Sequence, residues 1–196
     1  MTSPDNASDA GAVGGNTLVL LSGGIDSCAA LALYRRRSAS VSALFVDYGQ
    51  AAASHEQLAA GKVAAHYDAT FSTVRCVGLG EFRAGYVRAR NALLLQVALA
   101  AAPFEVGQIA MGLHAGTPYA DCMPVFVAEM QRVFDIYCDG KIRVTAPFID
   151  QDKLGVLAFC REAGVPLALT YSCERGTEPP CGACLSCLDR KALDVG

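Results

Sequence analysis

The sequence predicts an α/β fold, a doubly wound parallel sheet with a C-terminal zinc-binding knuckle. Three observations carry that expectation. Short β-like runs alternate with helical runs, the pattern of a parallel sheet covered by helices. A Gly- and Ser-rich loop, Ser22-Gly23-Gly24-Ile25-Asp26-Ser27, falls where the first strand meets the first helix. Four cysteines, Cys173, Cys181, Cys184 and Cys187, crowd into one short stretch near the C-terminus.

Taken in order, Thr17 to Leu21 is a short apolar strand and Ser27 to Arg37 a helix. Val41 to Val46 is the second strand, ending at Asp47. The Ala-rich run Ser54 to His66 is helical, and Phe71 to Cys76 is a third, weaker strand. Asn91 to Ala101 is apolar on nearly all sides and is expected to be a buried helix. Gln108 to Met111 is the fourth strand, ending at Gly112. Asp121 to Tyr137 has the clearest helical period, with Met123, Phe126, Val127, Met130, Val133, Phe134 and Tyr137 on one face that should meet the core. Ile142 to Thr145 is a short strand closed by Pro147. Gln151 to Glu162 is a helix stopped by Gly164 and Pro166. The remaining residues, rich in Cys, Gly and Pro, read as irregular.

A chain of 196 residues suits one domain, which at this length buries roughly 70% of its unfolded surface. Residues 16–196 are expected to form that domain, and residues 1–15, rich in Ser, Asp, Ala and Gly, a loose tail. The composition is 53% hydrophobic and 18% charged, so a packed core is expected. Net charge is only −3, which gives no global argument for nucleic acid or an anionic membrane as a partner and leaves room for a local basic site. No stretch reaches the ~20 apolar residues of a membrane helix. The nine cysteines are odd in number and scattered, and no secretory signal is visible, so reduced thiols in a cytoplasm are expected. Cys28, Cys76, Cys138 and Cys160 read as small core residues.

The glycine-rich loop has the context that gives such a loop meaning. An anion can sit against the exposed N–H groups of a helix start, where the helix dipole also favours negative charge. Leu21, Ser22, Gly23, Gly24, Asp26 and Ser27 are therefore candidate nucleotide contacts. An acidic Asp26 beside an anion implies an intervening cation such as Mg²⁺. No lysine follows the glycines, so this is not the GxxxxGK[ST] loop, nor is it GxGxxG. Asp47, Tyr48 and Gln50 follow the second strand, at the carboxyl end where open parallel sheets bind ligands.

The cysteine spacing forms two overlapping C-x₂-C knuckles with a fourth cysteine upstream. Tetrahedral Zn²⁺ needs four such thiolates at about 2.3 Å, and a closed Cys₄ set is structural because no position is left for water. An iron–sulfur cluster and a pair of redox disulfides are the rival readings.

The string Ser22–Ser27 resembles the SGGxDS loop of the PP-loop ATP pyrophosphatases, a Rossmann-like group that cleaves ATP between its α- and β-phosphates. Asp47-Tyr48-Gly49-Gln50 narrows the resemblance to the 7-cyano-7-deazaguanine synthases. Arg90-Asn91 at a helix start and the four C-terminal cysteines follow in the same order. Lesser matches are the loop from Gly112 to Asp121-Cys122 and the stretch from Pro147 to Asp152-Lys153. The resemblance spans about Leu18 to Arg190. It implies ATP-dependent conversion of 7-carboxy-7-deazaguanine and ammonia into the nitrile, in a homodimer, with structural zinc. It also implies that Asp26 helps hold Mg²⁺ and that Lys153 and Arg90 neutralise charge at the transferred phosphoryl group. Asn91 is a substrate contact on this reading, and Gly112 lies at the nucleotide. Asp121 either holds the guanine-like edge or caps the helix that follows.

Two departures stand near the substrate end. The segment from Glu81 to Arg90 is shorter than is usual in the family, and Ala89 replaces the glycine of its GRN motif. Ala51-Ala52-Ala53 replaces the usual basic RH pair. Adenylation with transfer to an amine on a protein or another molecule is therefore a second reading. A tRNA-modifying relative would need a basic face or an added domain, neither of which is evident. A non-catalytic nucleotide-binding module is a fourth reading.

Overall fold

The computed structural model describes residues 15–82 and 85–195. Apart from Gly15, the expected N-terminal tail lies outside the described residues. Five strands form one sheet: β1 (Asn16–Leu20), β2 (Val41–Asp47), β3 (Thr70–Arg75), β4 (Val106–Ala110) and β5 (Arg143–Thr145). They lie in the order β3-β2-β1-β4-β5, and every pairing is parallel. The order reverses between β1 and β4, which makes the carboxyl ends of those strands the switch point of an open sheet.

The strands read as near-continuous apolar runs because both faces are covered. Alternation assigns Val19, Leu21, Ala43 and Phe45 to one core, where they meet α1 (Ile25–Arg37), α2 (Ala53–His66) and α5 (Lys153–Ala163). Leu18, Leu20, Leu44, Val46 and Ile109 face the other core, beneath α3 (Arg90–Ala101) and α4 (Pro124–Cys138). The expected doubly wound architecture is therefore the observed one.

The helices correct four expectations. In α3 only Asn91, Leu95 and Ala98 are buried, so the helix lies on the sheet with an outer face left open rather than being enclosed. The long fourth helix is split: a short 3-10 turn, Ala120–Cys122, precedes α4, whose first residue is Pro124. Proline is tolerated there because its missing N–H would have no helical partner. Of the expected stripe, Met130 and Phe134 are buried, whereas Met123 and Tyr137 at its ends are exposed. Finally, the C-terminal stretch is not wholly irregular. It carries α6 (Leu185–Ala192), which packs Cys187 inward.

Among the four scattered cysteines, Cys28 and Cys160 are core residues, while Cys76 and Cys138 are only half-buried. No described helix is long and apolar enough to cross a membrane.

Candidate active site and metal centre

A cavity of about 360 Å³ opens at the switch point. Its floor is the loop between β1 and α1. Gly23 has φ +80°, and a Cβ there would come 2.7 Å from the Glu56 carbonyl oxygen and 2.8 Å from the Ala60 nitrogen, so only glycine lets this loop lie against α2. The Gly23 carbonyl accepts a hydrogen bond of 2.9 Å from the Tyr171 N–H, which ties the loop to the C-terminal segment. The Ser22 and Ser27 hydroxyls are 3.1 Å apart, and the Ser27 hydroxyl donates to the Gly24 carbonyl at 3.0 Å. Leu21, Ser22, Gly24, Asp26 and Ser27 all line the cavity at the N-terminus of α1. Gly112, after β4, lies directly against this loop. A Cβ on it would sit 2.5 Å from the Asp26 carbonyl carbon and from the Ser27 nitrogen.

The Asp26 carboxylate is held by Lys153, whose Nζ donates to Oδ1 at 2.6 Å and to Oδ2 at 2.5 Å. Local sequence explains how Lys153 arrives there. Asp152 caps α5 by accepting from the Gly155 N–H at 2.8 Å, and the helix then begins at Lys153, aimed at the loop. His114, to which the sequence assigns no role, brings Nε2 to 3.9 Å from Asp26 Oδ2.

At the end of β2 the residues divide. Tyr48 and Gln50 line the cavity, whereas Asp47 does not. The Asp47 carboxylate accepts from the Gly49 N–H at 3.1 Å and from Arg75 Nε at 2.8 Å, and is spent on shaping the turn and joining β3. Gln50 accepts from the Tyr48 N–H at 2.9 Å and donates to the Val46 carbonyl at 3.2 Å and to Glu56 Oε2 at 2.9 Å.

Arg90 and Asn91 reach the cavity from the start of α3, and Asp121 from the loop after β4. Asn91 Nδ2 donates to the Asp121 carbonyl at 3.1 Å, and the Asn91 N–H approaches Asp121 Oδ2 at 3.4 Å. The residue preceding α4 is Met123, with no side-chain cap, so the reading of Asp121 as a cap of that helix is corrected. Its carboxylate serves the start of α3 instead.

Sequence reasoning missed part of the wall. Tyr171, Ser172, Glu174, Ser186, Asp189 and Arg190 come from the C-terminal segment and complete the cavity. Glu174 accepts from the Ser186 N–H at 3.2 Å and hydroxyl at 2.8 Å, fixing the first turn of α6. Glu56, also missed, is partly buried on α2. Burial pushes its carboxyl above the ordinary range, against the Gln50 amide and Arg90, which favour the charged form, and with Glu174 adding to the rise. Its proximity to Gln50, six residues upstream, was the one available signal.

Cys173, Cys181, Cys184 and Cys187 place their four sulfurs within 4.8 Å of one another. The Cys173 thiol is held well below the ordinary range. Burial acts upward on it, but the N–H groups of Cys181, Thr177 and Arg175 and the Thr177 hydroxyl outweigh burial. Gly182, with φ +68°, makes the tight turn inside the first knuckle. The set can hold a metal ion. A single tetrahedral ion with bonds of about 2.3 Å would hold its sulfurs roughly 3.8 Å apart, and the Cys181 and Cys187 sulfurs are 4.0 Å apart. A cubane cluster places four irons between its thiolates and needs a wider set.

In structure, the chain resembles the U34-tRNA thiolase NcsA from Methanococcus maripaludis, solved with its [4Fe-4S] cluster. The TM-score is 0.55 at 16% identity, over 93% of this chain and 65% of that one, a likeness of fold. In sequence, it is 33% identical to the 7-cyano-7-deazaguanine synthase of Aquifex aeolicus (strain VF5) over 204 residues, 89% of this chain and 94% of that protein. It is also 33% identical to the synthase of that name from Persephonella marina (strain DSM 14350 / EX-H1), over 88% of this chain and 89% of the relative. A family model described as "Queuosine biosynthesis protein QueC" matches residues 16–84 and 74–193. The chain therefore belongs to the QueC family, the 7-cyano-7-deazaguanine synthases.

Proposed function

We propose that this chain is a carbon–nitrogen ligase that converts 7-carboxy-7-deazaguanine and ammonia into the nitrile, with ATP cleaved to AMP and diphosphate. The observation that carries the reading is one cavity lined by the Ser22–Ser27 loop, Lys153, Arg90, Asn91 and Asp121. A carboxylate is a poor acyl donor. Attack of its oxygen on the α-phosphorus forms an acyl-adenylate and releases diphosphate. Ammonia displaces AMP to give the amide. The amide oxygen, activated by a second ATP in the same way, then leaves with AMP to give the nitrile.

The chain's part is to position and to stabilise charge. The N–H groups at the start of α1 and the Ser22 and Ser27 hydroxyls hold the diphosphate. Lys153 leaves Asp26 for the phosphoryl oxygens when nucleotide binds, and Arg90 faces the same charge from α3. Asp26, the carboxylate within the loop, would hold Mg²⁺, which would supply further neutralisation. Asn91 and Asp121 meet the deazaguanine. The four cysteines would hold Zn²⁺ as a staple of the C-terminal wall.

The test uses purified protein with ATP, Mg²⁺, ammonium and 7-carboxy-7-deazaguanine, with products followed by mass. The expected products are the nitrile, AMP and diphosphate. Absence of ATP cleavage with this acid refutes the reading. A second reading, transfer to an amine on a larger acceptor, draws on an open apolar groove lined by Tyr86, Ala89, Ala120, Val125 and Phe126, which meets the cavity at Tyr86 and Asp121. AMP formation without amide or nitrile favours it.

A further inference from the structure

We propose that Glu56 is a catalytic residue of the second half-reaction, the carboxylate that takes ammonium into the cavity and removes its proton. The inference rests on the ammonia-using reading above. Ammonia is carried in neutral solution mostly as ammonium, which has no lone pair with which to attack a carbonyl. A cavity that uses it needs an anionic group to receive the cation and a base to release the nucleophile.

The carboxylates lining the cavity are not equivalent. Asp26 is chelated by Lys153, Asp121 is directed at the Asn91 N–H, and Glu174 is spent on the Ser186 N–H and hydroxyl. Asp189 is exposed on α6. Glu56 is partly buried, and its Oε2 accepts from Gln50 at 2.9 Å. Among the described residues no hydrogen bond reaches its Oε1. Gln50 is itself fixed by the Tyr48 N–H and the Val46 carbonyl, so the carboxylate is aimed rather than free. The charged groups that act on it are Arg90 from α3 and Glu174 from the C-terminal segment, and Glu56 in turn acts on Tyr48 from the loop after β2; all three line the same cavity. Burial raises its proton affinity above that of an ordinary glutamate, which suits a base working near neutrality.

The step balances. Glu56 takes one proton from ammonium and becomes the neutral acid. The nitrogen lone pair forms the C–N bond as the C–O bond to AMP breaks. That electron pair leaves with AMP, and the nitrogen gives its next proton to the departing phosphate.

The test compares wild-type protein with Glu56→Gln, which keeps the shape and the partner at Gln50. Carboxylate-dependent exchange of diphosphate into ATP reads the first half-reaction. Amide formation is then measured with ammonium from pH 7 to pH 9.5, and with hydroxylamine, which is uncharged at pH 7. The expected result is exchange within about threefold of wild type and at least a 100-fold loss with ammonium at pH 7. Most of that loss should be recovered at pH 9.5 or with hydroxylamine. Equal loss with both nucleophiles at every pH, or no loss, overturns the inference while leaving the ligase reading intact. Absence of exchange in the wild-type protein overturns both.

Discussion

Lys153 Nζ lies 2.6 Å and 2.5 Å from the two carboxylate oxygens of Asp26, bridging 127 positions of sequence between the start of α5 and the start of α1. The acidic residue of the Ser22–Ser27 loop, which we propose holds the diphosphate, is thereby paired before any nucleotide arrives. The pair is about a quarter exposed on each side, so its contribution to stability is modest, about 1 kcal/mol or less. Lys153→Met is expected to lower kcat/KM for ATP by about 100- to 1000-fold, the usual cost of losing one charge-stabilising donor. The melting temperature should change little. Steady-state kinetics with a thermal melt checks both, and a large fall in stability with unchanged activity would make the pair structural.

Ala89 occupies the left-handed region, with φ 57° and ψ 22°, immediately before α3. A side chain costs about 1–2 kcal/mol there, part of which glycine returns through its freer unfolded chain. Ala89→Gly is expected to stabilise the protein by about 0.5–1 kcal/mol, a rise of about 2–4 °C at most for a domain this size. Differential scanning calorimetry reads it, and a fall in melting temperature refutes the strain. The glycine that the family's GRN motif carries at this point thus has a backbone reason.

That position marks where the sequence was legible and where it was not. The strand–loop–helix at Ser22–Ser27 and the C-x₂-C spacing of Cys181, Cys184 and Cys187 are local patterns whose partners lie within a few residues, and they read directly, whereas the helix expected from Gln151 begins only at Lys153, after the Asp152 cap. The return of Tyr171, Glu174 and Asp189 to the Ser22–Ser27 loop is a long-range fact, fixed by the Tyr171 N–H on Gly23 and by packing of the cysteine-bearing segment on the loop preceding α2. No periodicity encodes it. Gly176, with φ +65°, shows how close that packing is. A Cβ there would collide with the Ala51 carbonyl oxygen, in the stretch where the family carries a basic pair. Asp47 was misplaced for the same reason: its competitor, Arg75, sits on the neighbouring strand, and only register brings the two together.

Gly112→Ala probes the backing of the Ser22–Ser27 loop. Its Cβ would meet the backbone of Asp26 and Ser27 at 2.5 Å, with no flexible side chain to give way. Overpacking of this kind costs about 1–3 kcal/mol. Nucleotide affinity by calorimetry should fall at least tenfold because the loop itself must shift. Unchanged affinity would mean that ATP does not use this loop.

Cys184→Ser tests the staple. The wild-type protein is expected to carry one zinc per chain and no visible absorption. The variant should lose the metal, become less soluble and melt at lower temperature, since metal binding to such sets is folding energy. Elemental analysis and a thermal melt decide it. Iron with broad visible absorption, or a variant as stable as wild type, contradicts the zinc staple.

Glu56 gives a pH dependence with a fixed sign. Its carboxyl is raised in the folded chain, first by burial, so its contribution is favourable while protonated and is lost as pH rises from the ordinary glutamate range through the folded value. Glu56→Gln should therefore melt higher than wild type at pH 7–8, with the gap closing as pH falls toward 4.5. A gap that widens on acidification refutes the burial argument.

The central claim is that a carboxylate oxygen attacks the α-phosphorus of ATP. It is tested most directly with 7-carboxy-7-deazaguanine labelled with oxygen-18 in both carboxyl positions, turned over with ATP, Mg²⁺ and ammonium. The account predicts that each AMP formed carries one labelled oxygen and that the nitrile carries none. Label in inorganic phosphate, with ADP as the nucleotide product, would contradict it.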